Sequence, residues 1–291
     1  MDNSGQQHQQ ATRSLIDAAP AVPEGTHAQQ RRRRGGKLRR LTTPNFLLPV
    51  AVGVAFLGAW EVFGRLSDPI LFAPPSSVYR AFVELTASGD LPRDLAVTLN
   101  TLIVGYVLSI LVGISLGVLV GRRLVFGSIL EPYLDAIYAT PRVVITPLVI
   151  VWFGVGYSGR LFIVFIGTVI PIILNTAVGV RHARRDLVEV AVAFGATERE
   201  LVRHVIVPGA LPYVIAGLRI AAGRALLGVV IAEMFLNLTG VGGLIATAAS
   251  YFHTAEMLAG VVVFAVLGIV MLSGLTWLET RVSAWKGQTS G

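Results

Sequence analysis

Among the few ionisable residues inside long apolar segments of the sequence, three are candidates for function: Arg142, Arg224 and Glu233. Arg219 lies close to the predicted cytosolic side, where its side chain can reach water, so a structural role is expected for it. A charged side chain at the depth of a lipid bilayer costs roughly 2.5–3.5 kcal/mol on insertion scales, so such residues mark candidate functional sites. The chemistry open to an arginine there is binding. Its guanidinium can hold an oxyanion with two parallel hydrogen bonds, or it can bind a backbone carbonyl. All three residues are therefore candidates for the lining of a polar path through a membrane.

A structural role is the alternative for each candidate. Arg142 stands between two prolines and fits either role. Glu233 comes near the end of its apolar segment, where water could solvate it. Arg224 could line the path, or it could bind a backbone carbonyl or an acid at the end of another segment. Nine residues separate Arg224 from Glu233, which places them on opposite helix faces and about 13.5 Å apart along the axis, so they cannot pair directly.

The sequence offers little for catalysis or metal binding. It contains no cysteine, which excludes disulfides and thiolate metal ligands. Its five histidines form no HExxH pair, and the apolar segments hold no paired acids and no His–Asp arrangement. A G-x4-G-K-[ST] phosphate loop is missing, because the nearest match, residues 35–38, lacks the upstream glycine and the hydroxyl. We expect neither an enzyme nor a bound cofactor or metal.

Composition and segment length predict an all-α membrane protein. Only 14% of the residues are charged, against about 25% in ordinary soluble domains. A membrane helix needs about 20 mostly apolar residues. Six segments of suitable length cover residues 46–63, 97–120, 133–153, 161–180, 213–235 and 257–277. We predict a disordered basic cytosolic tail over residues 1–45, one transmembrane domain over residues 46–280 and a short cytosolic tail over residues 281–291.

Lysine and arginine predict the orientation of the chain, because the cytoplasmic loops of membrane proteins are enriched in them. The N-terminal tail carries eight of them, and the loop after the fourth segment carries five. Residues 237–256, between the fifth and sixth segments, carry none. Both termini are therefore predicted to face the cytoplasm. The basic tail is expected to contact anionic lipid rather than nucleic acid, since it lacks aromatic or folded context.

Capping signals predict two short helices in the cytosolic loop, about residues 183–208. Asp186 and Thr197 each stand three residues before a glutamate, a pattern that caps helix N-termini. Gly195 stands between the two predicted helices and is the residue type that ends helices in the left-handed conformation. Pro208 is predicted to end the second helix before the fifth apolar segment.

The first predicted loop helix, residues 187–194, is apolar nearly all round. A helix of this kind at an aqueous surface must bury more than one face. One face can pack on the protein itself. The other needs a partner protein or must lie in the membrane interface.

This loop resembles a motif of the permease subunits of binding-protein-dependent ABC importers, E-A-A-x3-G-x9-I-x-L-P. Three of its residues are replaced here by another apolar residue, and the spacing is the same. The matching positions are Glu189, Val190, Ala191, Gly195, Val205, Val207 and Pro208. The replacements are Val190 for alanine, Val205 for isoleucine and Val207 for leucine.

The resemblance covers roughly residues 46–280. The stretches LFAPPSSVYRAF, TPLVIVWFGVG, PIILNTAVGVR, GLRIAAGRALLGVVIAEM and GVGGLI are similar to the branch that carries nitrate, sulfonates and taurine. The resemblance implies a type I ABC importer permease fold with six transmembrane helices and a cytosolic coupling helix. Glu189 would then contact an ATPase subunit, and Gly195 would set the turn.

The same resemblance implies the partners and the setting. Two copies of a separate ATPase subunit would bind two permease copies, expected as a homodimer, in the plasma membrane of a bacterium. An extracytoplasmic solute-binding protein would deliver a small, anionic solute such as a sulfonate, taurine or nitrate. Another small organic solute, such as a pyrimidine precursor, is the alternative cargo. An ion-driven secondary carrier is the alternative class, but it would need ionisable relays in several segments.

Overall fold

The computed structural model describes residues 44–182, 185–236 and 238–283, and every regular element in those ranges is helical. The predicted tails lie outside the described residues, apart from residues 44–45 and 281–283. The helices are α1 (Pro44–Leu66), α2 (Pro75–Ala87), α3 (Asp90–Arg122), α4 (Leu124–Ala139), α5 (Arg142–Phe153), α6 (Tyr157–Arg181), α7 (Arg185–Ala193), α8 (Glu198–Leu201), α9 (Val207–Phe235), α10 (Gly240–Ser250) and α11 (Thr254–Ser283).

Membrane-spanning helices dominate this part of the chain. Five described helices are long and apolar enough to cross a bilayer, and the bent pair α4–α5 provides a sixth candidate. The predicted all-α fold with six spans is confirmed. The chain divides into two compact units, residues 1–56 and 57–291, and α1 contributes residues to both. Everything below concerns the second unit.

The third predicted span, residues 133–153, is not one straight helix. Helices α4 and α5 meet at an angle of 100°. The break falls at Thr140 and Pro141, where both residues have extended backbone. Proline has no backbone N–H and disfavours the helical conformation of the residue before it, so a helix ends readily at this point. Pro147, by contrast, lies inside α5.

Helix α6 is the most buried of the five long candidate spans. Of the residues in its most apolar 18-residue stretch, 61% are buried. Helix α3 packs against it through glycines spaced four residues apart. A Cβ atom at Gly117 would lie 2.8 Å from the carbonyl oxygen of Ile173, and one at Gly113 would lie 2.8 Å from the Ile172 side chain. Small residues at this spacing let helix backbones approach closely in lipid. The glycine stripe of α3 therefore serves packing within the subunit.

Proline does not end the second loop helix as predicted. The chain runs from α8 through a π-helical turn, Val202–Ile206, directly into α9. The N–H group of Val207 bonds to the carbonyl of Val202, five residues back. A π turn widens the helix by one residue, and Pro208 follows it in the first turn of α9, where a missing N–H is tolerated.

Helix α10 occupies a region that the sequence indicated only as a loop. Its 11 residues span about 16 Å at 1.5 Å per residue. That is too short to cross a hydrocarbon core of about 30 Å. Helix α10 contacts α3, α9 and α11, so it packs against three spans without being one.

Candidate functional site

The loop that carries the motif folds as two helices around a glycine turn. Gly195 has φ +76°. Its N–H group bonds to the carbonyl of Val192, and the N–H of Ala196 bonds to the carbonyl of Ala191, both at 3.0 Å. This pair of bonds is the Schellman arrangement that closes helix C-termini. Gly195 occupies the left-handed position, where a side chain is strained.

Helix α8 begins with a complete capping box. The backbone N–H of Glu200 donates to Thr197 Oγ1 at 3.4 Å, and Glu200 Oε2 accepts from the Thr197 backbone at 2.9 Å. The prediction for Thr197 is therefore confirmed. The prediction for Asp186 is wrong, because α7 begins at Arg185 and Asp186 lies inside its first turn.

Apolar side chains of α7 and its C-terminal turn are open to solvent in the single chain. Phe194 is 88% exposed, Val192 is 59% exposed and Val190 is 53% exposed. Glu189 is also exposed, and Ala191 is half-buried. The remaining motif residues lie farther along, Val205 in the π turn and both Val207 and Pro208 at the start of α9. The loop thus presents an uncovered apolar surface beside an acidic residue.

Ion pairs connect this end of the molecule to the bundle. Arg122 at the end of α3 pairs with Glu198 at the start of α8, and Arg181 at the end of α6 pairs with Glu131 of α4. The Glu198 side chain is 80% exposed, so its pair contributes less than about 1 kcal/mol. These contacts orient the loop more than they stabilise the fold.

The structure brings Arg142 and Arg224 together, and we call them the arginine pair. Arg142 Nη1 donates to the backbone carbonyl of Arg224 at 2.6 Å. The guanidinium of Arg224 lies over the ring of Tyr138, with 3.8 Å between its Cζ atom and the ring centroid. Both arginines are half-buried. Gly167 of α6 leaves room for Arg142, because a Cβ atom there would lie 2.7 Å from Arg142 Cζ.

No carboxylate balances the arginine pair within the described residues. None of the ion pairs found there, out to 4.0 Å, includes Arg142 or Arg224. Arg142 instead binds a backbone carbonyl, and Arg224 lies over an aromatic ring, so both cations have neutral partners. The two side chains border a small cavity together with Tyr138, Thr140 and Gly167. The cavity measures only about 10 Å³, room for no more than about one water molecule. The arginine pair is thus a cluster of positive charge at membrane depth, where an opposite charge is its most favourable partner.

Glu233 lies away from the arginine pair. The interpretation that water solvates its side chain is wrong. It is 0% exposed. Its Oε2 atom accepts from Thr98 Oγ1 of α3 and from the backbone N–H of Gly242 in α10, each at 2.9 Å. On the same side of the bundle, buried Arg160 of α6 donates to Thr239 Oγ1 at 2.6 Å. We call Thr98, Arg160 and Glu233 the α10 anchor.

Sequence reasoning missed the partners of all three charged candidates. Tyr138, which stacks on Arg224, lies 86 residues from it in the chain, and Thr98 lies 135 residues from Glu233. One signal was visible, the glycine-rich stretch at residues 240–243, which allows the backbone of α10 to touch the Glu233 side chain. Arg219 binds Glu279 and Thr276 of α11, each at 2.8 Å, so its guanidinium is engaged outside the candidate site.

Comparison with known proteins identifies the family. A family model described as "Binding-protein-dependent transport system inner membrane component" matches residues 109–284. This chain belongs to that family. The family consists of permease subunits of ABC importers, so the chain is a multi-pass inner-membrane translocation subunit rather than an enzyme, and the ATPase of the family's importers is a separate subunit.

Relatives support the same family over nearly the whole chain. The chain is 30% identical over 277 residues to SsuC of Bacillus subtilis, a permease named for aliphatic sulfonate transport, covering 94% of this chain and 99% of that protein. It is 25% identical over 274 residues to the taurine permease TauC of Escherichia coli, with coverages of 92% and 98%.

Among solved structures, the fold is similar to a chain of the inward-facing MetNI methionine ABC transporter. The TM-score is 0.58 at 17% identity, and the match covers 68% of this chain and 98% of that one. At that identity the similarity concerns the fold alone. Together these comparisons confirm the expected permease fold.

Proposed function

We propose that this permease forms the path for a small oxyanion, such as a sulfonate, taurine or nitrate, and that the arginine pair binds the solute on its way through. The observation that carries the proposal is two arginines side by side in spans α5 and α9, with no carboxylate partner among the described residues. A guanidinium can hold a sulfonate or nitrate with two hydrogen bonds. Names of relatives agree, since SsuC is named for aliphatic sulfonates and TauC for taurine.

The test compares two arginine variants of α9. Arg224→Gln removes the charge from the arginine pair, and Arg219→Gln removes a charge that already has an acidic partner, Glu279. Losing charge-assisted hydrogen bonds to the solute predicts a drop in uptake of roughly 10–100-fold for Arg224→Gln. Arg224→Lys should keep part of the activity, and Arg219→Gln most of it.

Assembly must be measured beside uptake. Each variant is purified through the tagged ATPase subunit, and the amount of bound permease is compared with wild type. Normal assembly with poor uptake supports a role on the path. Normal uptake by Arg224→Gln would disprove that role, and loss of assembly would make Arg224 structural. A solute-binding protein that takes up only neutral pyrimidine precursors in a ligand screen would favour the alternative cargo.

The loop at about residues 183–208 is proposed as the surface that couples each permease copy to an ATPase subunit, with two ATPase copies in the whole importer. Phe194, Val192 and Val190 give it an uncovered apolar surface, and Glu189 gives it a charge. In Gly195→Val, a β-branched residue must adopt φ +76°, which costs about 1–2 kcal/mol or more. Uptake should fall and ATP hydrolysis should become independent of solute, while membrane insertion persists. Gly195→Asn is the control, because asparagine tolerates this conformation. Wild-type uptake in both Gly195→Val and Glu189→Lys would refute the coupling role.

The orientation is proposed from the arginine distribution, with both termini and the coupling loop in the cytoplasm. The basic residues Arg122, Arg181 and Arg199 all lie at the same end of the bundle as the loop, at or next to the ends of its helices. Reporter fusions after Arg185 and after Lys286 should report cytoplasm, and one after Ser88 should report the outside. A cytoplasmic signal at Ser88 would contradict the six-span topology. A second permease copy and an external solute-binding protein complete the proposed importer.

A further inference from the structure

The N-terminus of α10 is bound by side chains from the surrounding spans. The first backbone N–H groups of a helix have no partner within the helix. In α10, the N–H of Val241 bonds to Thr98 Oγ1 at 3.0 Å, and the N–H of Gly242 bonds to Glu233 Oε2 at 2.9 Å. The Thr98 hydroxyl in turn donates to the same carboxylate oxygen at 2.9 Å. The positive end of the helix dipole also stabilises a carboxylate at this position.

Glycine makes this contact possible. A Cβ atom at Gly240, which has φ +74°, would lie 2.5 Å from Glu233 Cδ, and one at Gly242 would lie 2.8 Å from Glu233 Cβ. Arg160 of α6 completes the enclosure by binding Thr239, the residue before α10, and by acting electrostatically on Glu233. Three spans, α3, α6 and α9, therefore converge on the start of one short helix.

A cavity adjoins α10 and also reaches the start of this helix, where Leu238 and Thr239 line it. Thr247 and Ala248 of α10 line the same cavity, which measures about 290 Å³ and whose other walls carry charged side chains from α3 and the start of α11. Those charged residues are Asp90, Arg93, Asp94 and Glu256. In the proposed orientation this cavity opens to the outside. Helix α10 thus stands between external water and the buried core of the bundle.

We propose that Thr98 and Glu233 are positioning residues for transport, which hold α10 as a closure at the outer end of the permease at rest. This inference rests on the proposed orientation. The α10 anchor ties the start of α10 and the residue before it to α3, α6 and α9 at once. Breaking it frees the N-terminus of α10, exposes Val241, which is 0% exposed in the intact structure, and impairs transport.

Thiol labelling can test this directly, because the chain has no native cysteine. Val241→Cys is introduced alone, and right-side-out membrane vesicles are treated with a membrane-impermeant maleimide. With an intact anchor the thiol stays protected. Thr98→Val keeps the side-chain volume but removes the hydroxyl and leaves a buried N–H unpaired, so labelling should speed up by about tenfold or more. Glu233→Gln should act in the same direction, and Thr98→Ser should restore protection.

Thr101→Val is the matched control. Thr101 lies on the same helix, is also 0% exposed, and its hydroxyl bonds only to the Val97 carbonyl of its own helix at 3.2 Å. It should leave both labelling and uptake unchanged. Uptake should fall in Thr98→Val, at unchanged assembly, and recover in Thr98→Ser. Unchanged labelling in Thr98→Val, equal labelling in Thr101→Val, or exposed Val241→Cys with wild-type uptake would each overturn the proposal.

The two proposals fail separately. Labelling needs no solute, so its outcome does not depend on whether the cargo is an anion. Conversely, normal uptake by Arg224→Gln would remove the anion proposal and leave the α10 anchor in place. If Glu233→Gln does not assemble, the pair Thr98→Val and Thr98→Ser still decides the question.

Discussion

The arginine pair and the α10 anchor are two charged regions of one bundle that differ in the sign, burial and partners of their charged groups. In the α10 anchor, Glu233 and Arg160 have opposite signs, both are buried, and both bind hydroxyl groups of neighbouring elements. In the arginine pair, the charges have the same sign, the side chains are half-buried, and the partners are a carbonyl and an aromatic ring. One region holds charges of both signs, and the other holds positive charges only.

The difference shows how to separate structural charge from functional charge in a membrane protein. A buried charge that has an opposite charge and hydrogen bonds nearby stabilises a particular arrangement of helices. Like charges kept together without a counter-charge gain nothing for folding, so their arrangement favours a ligand of opposite sign. The sequence alone made both Glu233 and Arg224 candidates for the path, and only their surroundings separate their roles.

The largest expected effect comes from removing the acceptor at the centre of the α10 anchor. Glu233→Leu leaves the Thr98 hydroxyl and the Gly242 N–H buried without their shared acceptor, which should lower the free energy of unfolding by about 2–4 kcal/mol. Arg142→Leu removes one hydrogen bond to a carbonyl and should lower it by only about 1–2 kcal/mol. Thermal unfolding of the purified permease in detergent measures both.

A double variant checks the reason for that loss. Combining Glu233→Leu with Arg160→Met removes both buried charges. Because the two groups form no ion pair within 4.0 Å, any stability regained by the double variant measures their longer-range attraction. If the double variant is no more stable than Glu233→Leu alone, charge balance does not explain the anchor. Equal losses from Glu233→Leu and Arg142→Leu would abolish the contrast between the two regions.

An intermediate effect is expected when the arginine pair is moved without changing its charge. In Gly167→Ala the new methyl group would meet the flexible end of Arg142, with Cδ 2.9 Å away. The guanidinium must shift, and we expect uptake to fall roughly tenfold, equivalent to about 1.4 kcal/mol. Stability should hold, since alanine favours a helix interior over glycine by about 0.5–1 kcal/mol.

Gly223→Ala is the control for that experiment. Gly223 adjoins Arg224 in α9, but no atom outside its own helix lies within 4 Å of a Cβ atom there. Uptake of radiolabelled solute by Gly223→Ala should equal wild type. Equal uptake by Gly167→Ala and Gly223→Ala would show that the position of Arg142 does not matter for transport.

The smallest effect is expected from a balanced charge near the surface. Arg219 and Glu279 pair at 2.8 Å, and their side chains are 44% and 39% exposed. Such pairs contribute about 0–1 kcal/mol, so Arg219→Gln should shift the unfolding midpoint only slightly. A double-mutant cycle with Glu279→Gln gives the pair energy. A pair energy as large as the stability loss expected for Glu233→Leu would mean that burial does not determine the size of these effects.

Local signals predicted the Gly195 turn and the Thr197 cap of the loop. The Thr197 side chain accepts a hydrogen bond from a backbone N–H three positions away, and the hydrogen bonds of the Gly195 turn span at most five residues. Interactions of that range are determined by neighbouring residue types, so the sequence shows them. Asp186, which lies inside α7 and not before it, and Pro208 are the local exceptions. The rule that proline ends a helix failed because the π turn before it accommodates the missing N–H.

Long-range features could not be predicted in the same way. Hydropathy located the third apolar segment, but it carries no information on the direction of the helix axis. It therefore could not reveal the 100° bend at Thr140 and Pro141. The burial of Glu233 depends on Thr98, 135 residues away, and on a short helix that no span count includes. Family resemblance supplied the fold, and contacts between distant residues decided the role of each charged side chain.

The π turn joins the coupling loop to α9 without interruption, so Glu198–Phe235 forms one helical rod of 38 residues, about 57 Å long. Arg224 and Glu233 project from opposite sides of this rod. A rotation of this rod about its own axis would therefore move the two side chains in opposite lateral directions. The arginine pair and the α10 anchor are thus mechanically linked through one continuous helix.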